Sequence, residues 1–313
     1  MKSDKKYFIF ILAILSMLFW GMSFVWTKIV LEFYAPITTI FLRLIISSSV
    51  LYFVLKISKQ LQIIKKKHYT LFLLSAMFEP LLYFLGENFG IREVSSTVAS
   101  VIIATIPVIS PIFAYFLLKE KLSIFNISGI IISFFGVIVM IFDHNLNFTA
   151  SPKGIMLLFL AVFSTIGYAV TIKKLAVIYN SPTIITFQNI IGIFYFLPLF
   201  LIFDFKEFLI VTPSFRAIAA LVQLAIFASS LAFICYIHVV KKIGVSRANI
   251  FTNLIPIVTA IFSYFMLDES FTFSKILGIS IVIFGVFLSQ IDKLIIKRNK
   301  LKELKIKLEK GKQ

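Results

Sequence analysis

Long apolar runs, broken at short intervals by polar and basic residues, organise the whole chain. They fall at 7–30, 37–57, 70–90, 95–117, 124–142, 154–172, 183–203, 216–240, 247–267 and 274–292. A run of about 18 to 20 apolar residues crosses a bilayer as an α-helix, so the pattern predicts an all-α membrane protein with ten transmembrane helices. The first run is too long for a cleaved signal peptide and has no small-residue cleavage site before the next, so it is expected to remain as the first helix.

Composition agrees with the pattern. Sixty per cent hydrophobic residues, 14% charged residues and 37 phenylalanines in 313 residues exceed what a soluble core can bury, and the surplus must face lipid. The single cysteine, Cys235, excludes an intrachain disulfide and a cysteine-based metal site, and is expected to be a packing residue.

A net charge of +17 in a soluble protein would point to nucleic acid; here its distribution carries the information. Lys2, Lys5 and Lys6, the cluster from Lys56 to Lys67, then Lys119, Lys121, Lys173, Lys174, Lys241, Lys242, Arg247 and the tail from Lys293 to Lys312 all fall on one side of a ten-helix topology. Together these are 24 of the 31 basic residues. The positive-inside rule places that side, and both termini, in the cytoplasm of a multi-pass plasma-membrane protein. The partners expected are a small-molecule substrate and membrane lipid, and no nucleic acid. The tail at 293–313 is expected to be a solvated, membrane-hugging end that fixes topology.

The chain repeats itself. A shift of 149 residues lays Pro107 on Pro256, Tyr115 on Tyr264, Glu120 on Glu269, Gly129 on Gly278 and Gly136 on Gly285 without a gap. A shift of 146 lays Gly21 on Gly167, Lys28 on Lys174 and Pro36 on Pro182. Residues 1–146 and 147–292 therefore read as two five-helix repeats, and because five is odd the second enters the membrane inverted. Inverted repeats allow a central site to be opened alternately to either face.

The segments "FWGMSFVWTKIV" (19–30), "FLRL" (41–44), "STVASVIIATIPVISPIFAYFLLKEKLS" (96–123) and "SRANIFTNLIPIVTAIFSYFMLDESFT" (246–272) resemble the EamA domains of the drug/metabolite transporter superfamily. The resemblance covers almost the whole chain, and its most specific element is the doubled spacing of Pro, Glu, Gly and Gly. It implies a ten-helix secondary transporter, usually an exporter of amino acids or other small metabolites, with a cavity lined mainly by helices 1, 3, 4, 6, 8 and 9.

Several side chains are candidates for the chemistry. Glu79 lies about halfway across the third run, where a carboxylate must face a cavity, a partner or a cation, or carry a proton. On a continuous helix Glu79, Tyr83 and Glu87 share one face. Glu79 is read as the partner of a substrate ammonium or as a proton carrier, against a structural pairing with Arg43. Arg43 itself either clamps a substrate carboxylate or ties helices together. Glu87 and Arg92 are expected to be structural, near the outer surface. Glu120 and Glu269 are expected to cap the helices that follow them. Pro107 and Pro256, read as mid-helix, are expected to act in hinging or packing. Gln223, Asn249, Thr252 and Asn253 offer hydrogen bonds either to a cavity or between helices. Trp20, Trp26 and Tyr168 can wall an amine or apolar substrate, with an interfacial anchor as the other reading for Trp26. His238 is expected at the cytoplasmic interface.

No zinc-protease motif, phosphate-binding loop or nucleophile elbow is present, so an enzyme is not expected, nor a cofactor or metal. Without a nucleotide loop, energy must come from a gradient or from the substrate itself. The competing readings are a lipid-handling membrane protein with a lateral phenylalanine-lined groove, and an importer of the same fold.

Overall fold

The computed structural model describes residues 2–118, 123–142, 150–243 and 248–290. Within them the helices are α1 (Lys2–Val30), α2 (Pro36–Ile57), α3 (Lys66–Glu93), α4 (96–118), α5 (Ile124–Ile141), α6 (Pro152–Ala176), α7 (Ser181–Phe208), α8 (215–243), α9 (249–267) and α10 (Phe273–Gln290). Among the described residues nine are long and apolar enough to cross a membrane, and the apolar part of the tenth, α9, is shorter. The basic tail at 293–313, Glu120 and the lysines and arginine at 119, 121 and 247 lie outside the described residues.

The starts of these helices are written locally. Ser95, Ser123, Ser151, Asn180 and Ser214 each accept a hydrogen bond from a backbone N–H in the first turn of the helix they precede. Pro36, Pro152 and Pro182 sit at first-turn positions where no amide donor is needed. Exposed Phe134, Phe135, Ile202, Phe203, Phe265 and Phe284 form part of the surface that meets lipid.

Several spans are interrupted. In α3 a wide π-type turn at Met77–Leu82 contains Pro80, and Glu79 leaves the helical region altogether (φ −144°, ψ 113°). Steric pressure from a proline ring drives the preceding residue to extended backbone, and the missing N–H breaks the ladder. The continuous helix expected across 70–90 is therefore two segments meeting at Glu79. In α4 the break falls at Ala104–Thr105, and in α9 a tight turn at Asn249–Asn253 precedes Leu254–Leu267. The 149-residue shift superposes these two junctions. Pro107 and Pro256 are consequently not mid-helix: each stands in the first turn of a new helical segment, where its missing donor costs little.

Close helix packing joins the two halves. A Cβ placed on Gly129 of α5 would stand 2.6 Å from the Gly285 carbonyl oxygen of α10, and one on Gly136 would stand 2.9 Å from the Gly278 carbonyl oxygen. Since Gly129 corresponds to Gly278 and Gly136 to Gly285, these two contacts are each other's symmetry mates. They also run in opposite order along the chain, so equivalent helices are antiparallel and the repeat is inverted. The helices α2 and α7 repeat the relation, with Thr38 bonded to Asp204 at one end, Asn189 to Ser47 in the middle, and Gln62 to Thr183 at the other. Gly86 and Gly90 bring α3 equally close to Leu157, Leu158 and Ala161 of α6. Backbone approach of this kind is how helices associate in lipid, where burial of apolar surface gives no drive.

Trp26 is buried (5% exposed) between α1 and α8 beside Phe227 rather than at an interface. His238 is exposed near the end of α8, its ring edge-on to Phe8.

Candidate functional site

The helix breaks converge on one cavity of about 400 Å³. That is the size of a small-molecule site, for which about 300–1,000 Å³ is usual. Its wall takes residues from α1, α2, α3, α4, α6, α8 and α9, so both halves build it. Trp20, Tyr83, Phe84, Phe233 and Tyr236 provide aromatic faces; Trp20 meets Phe233 and Tyr236 at ring distances of 5.1 and 5.0 Å.

Three charged side chains line the cavity: Arg43, Glu79 and Glu87. Arg43 is almost fully buried and held from three directions. Its Nε donates to Ser229 Oγ at 2.6 Å, its Nη1 lies 3.6 Å from Glu87 Oε2, and its guanidinium carbon sits 4.2 Å above the Phe84 ring. Glu87 also accepts from the Tyr83 hydroxyl at 3.0 Å. Both Arg43 Nη1 and Glu87 Oε2 are buried without a hydrogen bond, so the ion pair is made at contact distance but not closed.

The structure thus assigns Arg43 to Glu87, and not to Glu79, as its paired carboxylate. Glu87, expected to be structural and nearer the outer face, is 5% exposed, pairs with Arg43 and lines the cavity. Arg92 is exposed. Glu79 faces the cavity from the break in α3 and has no hydrogen-bond or ion-pair partner among the described residues. One guanidinium against two carboxylates leaves the described lining with room for one more positive charge.

Behind Glu79 a second space of about 20 Å³, large enough for one water, is bounded by Tyr168, Gln188, Asn189 and Ser229. Here the Tyr168 hydroxyl donates to Gln188 Oε1 at 3.3 Å and Gln188 Nε2 donates to Ser75 Oγ at 2.6 Å, which fixes the amide's orientation. Ser229 and Ser230 return their hydroxyls to the carbonyls of Leu224 and Ala225, satisfying acceptors that the wide turn in α8 leaves open.

The other candidates divide. Trp20, Tyr83, Tyr168 and Pro107 line the main cavity together with Thr252. Gln223, Asn253 and Pro256 are not among its lining residues; Asn253 Oδ1 is buried without a hydrogen bond, beside the cavity rather than in it. The side chain of Asn249 lies outside the described residues. Glu269 caps a helix, though not the one that follows it: its carboxylate accepts from the N–H groups of Ser96 and Thr97 and from the Thr97 hydroxyl at the start of α4. Phe233, Tyr236 and Ser110 are cavity residues that sequence reasoning missed, because an aromatic or serine in an apolar run reads the same whether it faces lipid or a cavity.

The fold is a ten-helix membrane bundle with inverted halves, enclosing a largely aromatic and aliphatic cavity that carries three charged side chains. The EamA-like transporter family matches this chain over residues 7–142 and again over 152–290, and the chain belongs to that family. Among curated relatives, the Bacillus subtilis "Uncharacterized transporter YetK" is 27% identical over 87% of this chain and 84% of its own length. An "Uncharacterized transporter" of Archaeoglobus fulgidus is 26% identical over 89% of this chain and 97% of its own. A solved structure described as "Crystal structure of protein" has the same fold, with a TM-score of 0.66 at 13% identity, covering 90% of this chain and 97% of the other. The protein is a multi-pass membrane transporter.

Proposed function

We propose that the chain is a secondary transporter of the cytoplasmic membrane that exports amino acids or similar small amphipathic metabolites by alternating access. Both termini lie in the cytoplasm, on the lysine-rich face. The observation that carries the reading is Glu79: a carboxylate on the wall of a cavity of about 400 Å³, without a partner of its own, while Arg43 is already held by Glu87. An ammonium group in the cavity pairs with the Glu79 carboxylate, and its carbon skeleton packs against Trp20, Phe233 and Tyr236. Between substrates, a proton on Glu79 takes the place of the ammonium group, which makes the carboxylate the point where solute and proton flux meet.

The test is efflux from proteoliposomes loaded with a mixed metabolite pool, followed by mass spectrometry with and without a pH gradient. Glu79→Gln removes a charge-assisted bond worth about 1.5–3 kcal/mol, so uptake of amine-bearing solutes into the site should weaken roughly tenfold to hundredfold. Proton dependence should vanish with it. Unchanged transport in the variant would make Glu79 structural; no solute movement by the wild type, with lipid movement instead, would replace this reading by the lipid-handling one.

A further inference from the structure

With the face where α1 begins called the inner face, the cavity wall takes the outer halves of α1, α2 and α3 and the inner halves of α6, α8 and α9. Toward the inner face the wall includes Thr252 within one turn of the start of α9 and Ile172 about one turn from the end of α6. Toward the opposite, outer face it includes Phe24 of α1 and Glu87 of α3, each less than two turns from the end of its helix. Beyond them, at the outer helix ends, lies a knot of polar contacts between chain segments distant in sequence.

At its centre is Glu269, in the turn after α9. Its Oε1 accepts from Ser96 N at 2.6 Å, and its Oε2 accepts from Thr97 Oγ1 at 2.7 Å and Thr97 N at 3.4 Å. The second half of the chain is thereby fastened to the start of α4 in the first half. Two further bonds extend the knot. Ser96 Oγ donates to the Phe24 carbonyl of α1 at 3.2 Å. Lys28 of α1 donates through Nζ to the carbonyls of Ile91 and Val94 at 2.7 and 2.8 Å, closing the end of α3, and its charge is felt by Glu269. Four helices, α1, α3, α4 and α9, are drawn together above the cavity by one carboxylate and one ammonium group.

The repeat aligns Glu269 with Glu120, and Ser96 and Thr97 with residues 245 and 246; Glu120 and residues 245 and 246 lie outside the described residues. Lys174, which the repeat aligns with Lys28, is exposed at the inner face. Every bond in the outer knot joins a side chain to backbone or hydroxyl at a helix end, so it can be exchanged for water without stranding a buried charge.

We propose that Glu269 is a gating residue of the transport cycle: its bonds to Ser96 and Thr97 are an outer latch, shut in this structure. Opening to the outside requires α9 to leave α4, and the latch sets how often that occurs. The proposal rests on the alternating-access part of the function proposed above, but its test needs no transported solute.

In a Cys235→Ala background, Ser23→Cys puts a reporter thiol on the cavity wall. Its alkylation by a membrane-impermeant maleimide is timed in vesicles of each orientation. Glu269→Ala should raise labelling from the outer face by at least about fivefold, the lower end of a typical coupling between two states, without raising it from the inner face. Thr97→Val, which removes one hydroxyl bond and keeps the shape, should shift labelling in the same direction by a smaller factor, and decides the matter if Glu269→Ala does not fold. Labelling from the outer face that stays at the wild-type rate in both variants overturns the proposal. An equal rise from both faces also overturns it, since that is a loosened fold around a structural cap. A shift in sidedness with no solute movement in any preparation keeps the latch and discards the transported class proposed above.

Discussion

Arg43 shows how a buried charge is kept in this protein. One guanidinium takes a serine hydroxyl, a carboxylate and an aromatic face, and the carboxylate is in turn held by a tyrosine hydroxyl. Removing one member leaves the other as an uncompensated charge. Arg43→Ala and Glu87→Ala, measured separately by thermal unfolding in detergent, should each cost about 3–5 kcal/mol, whereas replacing both by neutral residues of similar volume should recover most of that loss. A double variant as unstable as the sum of the singles would show that the two side chains do not act as a pair. Of these residues the sequence made Glu79 the most legible, because a carboxylate midway along an apolar run has few innocent explanations. Glu87, read as a structural group nearer the outer face, is the carboxylate that Arg43 pairs with. The arginine that claims it comes from another run, with no signal of pairing between them.

At the scale of the element, α3 owes its shape to two letters, Glu79 and Pro80. The proline makes the turn wide and the backbone at Glu79 extended, which turns the carboxylate towards both the large cavity and the small one behind it. Pro80→Ala restores the amide donor and frees the preceding residue to be helical. The expected outcome is a protein that folds and melts close to wild type but transports poorly, because Glu79 is swung out of place; full activity in this variant would show that the break is incidental. The dipeptide was there to be read. Apolar length dominated instead, since a membrane span tolerates a proline wherever its neighbours supply the missing bonds. The repeat-related junctions in α4 and α9 carry the same lesson. Their prolines were visible and paired, but only the structure puts each just after a break and not at it.

For the molecule as a whole, ten spans and their inversion followed from the sequence because lipid imposes length and an odd repeat imposes direction. Which spans touch was not legible: the deciding contacts are glycines meeting backbone across the halves, and a glycine in an apolar run gives no hint of its partner. Those contacts also have a consequence in time. The partners of α1, α2, α3 and α5 include α8 and α9, α7, α6 and α10 respectively, so the first half leaves the ribosome with its packing faces unmatched, and α5 waits for the last helix to be made. Neither half is a unit that can mature alone. Residues 1–146 and 147–313 expressed separately should each be degraded or aggregate, while the same two fragments made in one cell should find each other and yield a complex that co-purifies; survival of either fragment by itself as a compact protein would refute this. Biosynthesis of the transporter is therefore an assembly reaction between two proteins that happen to share one chain.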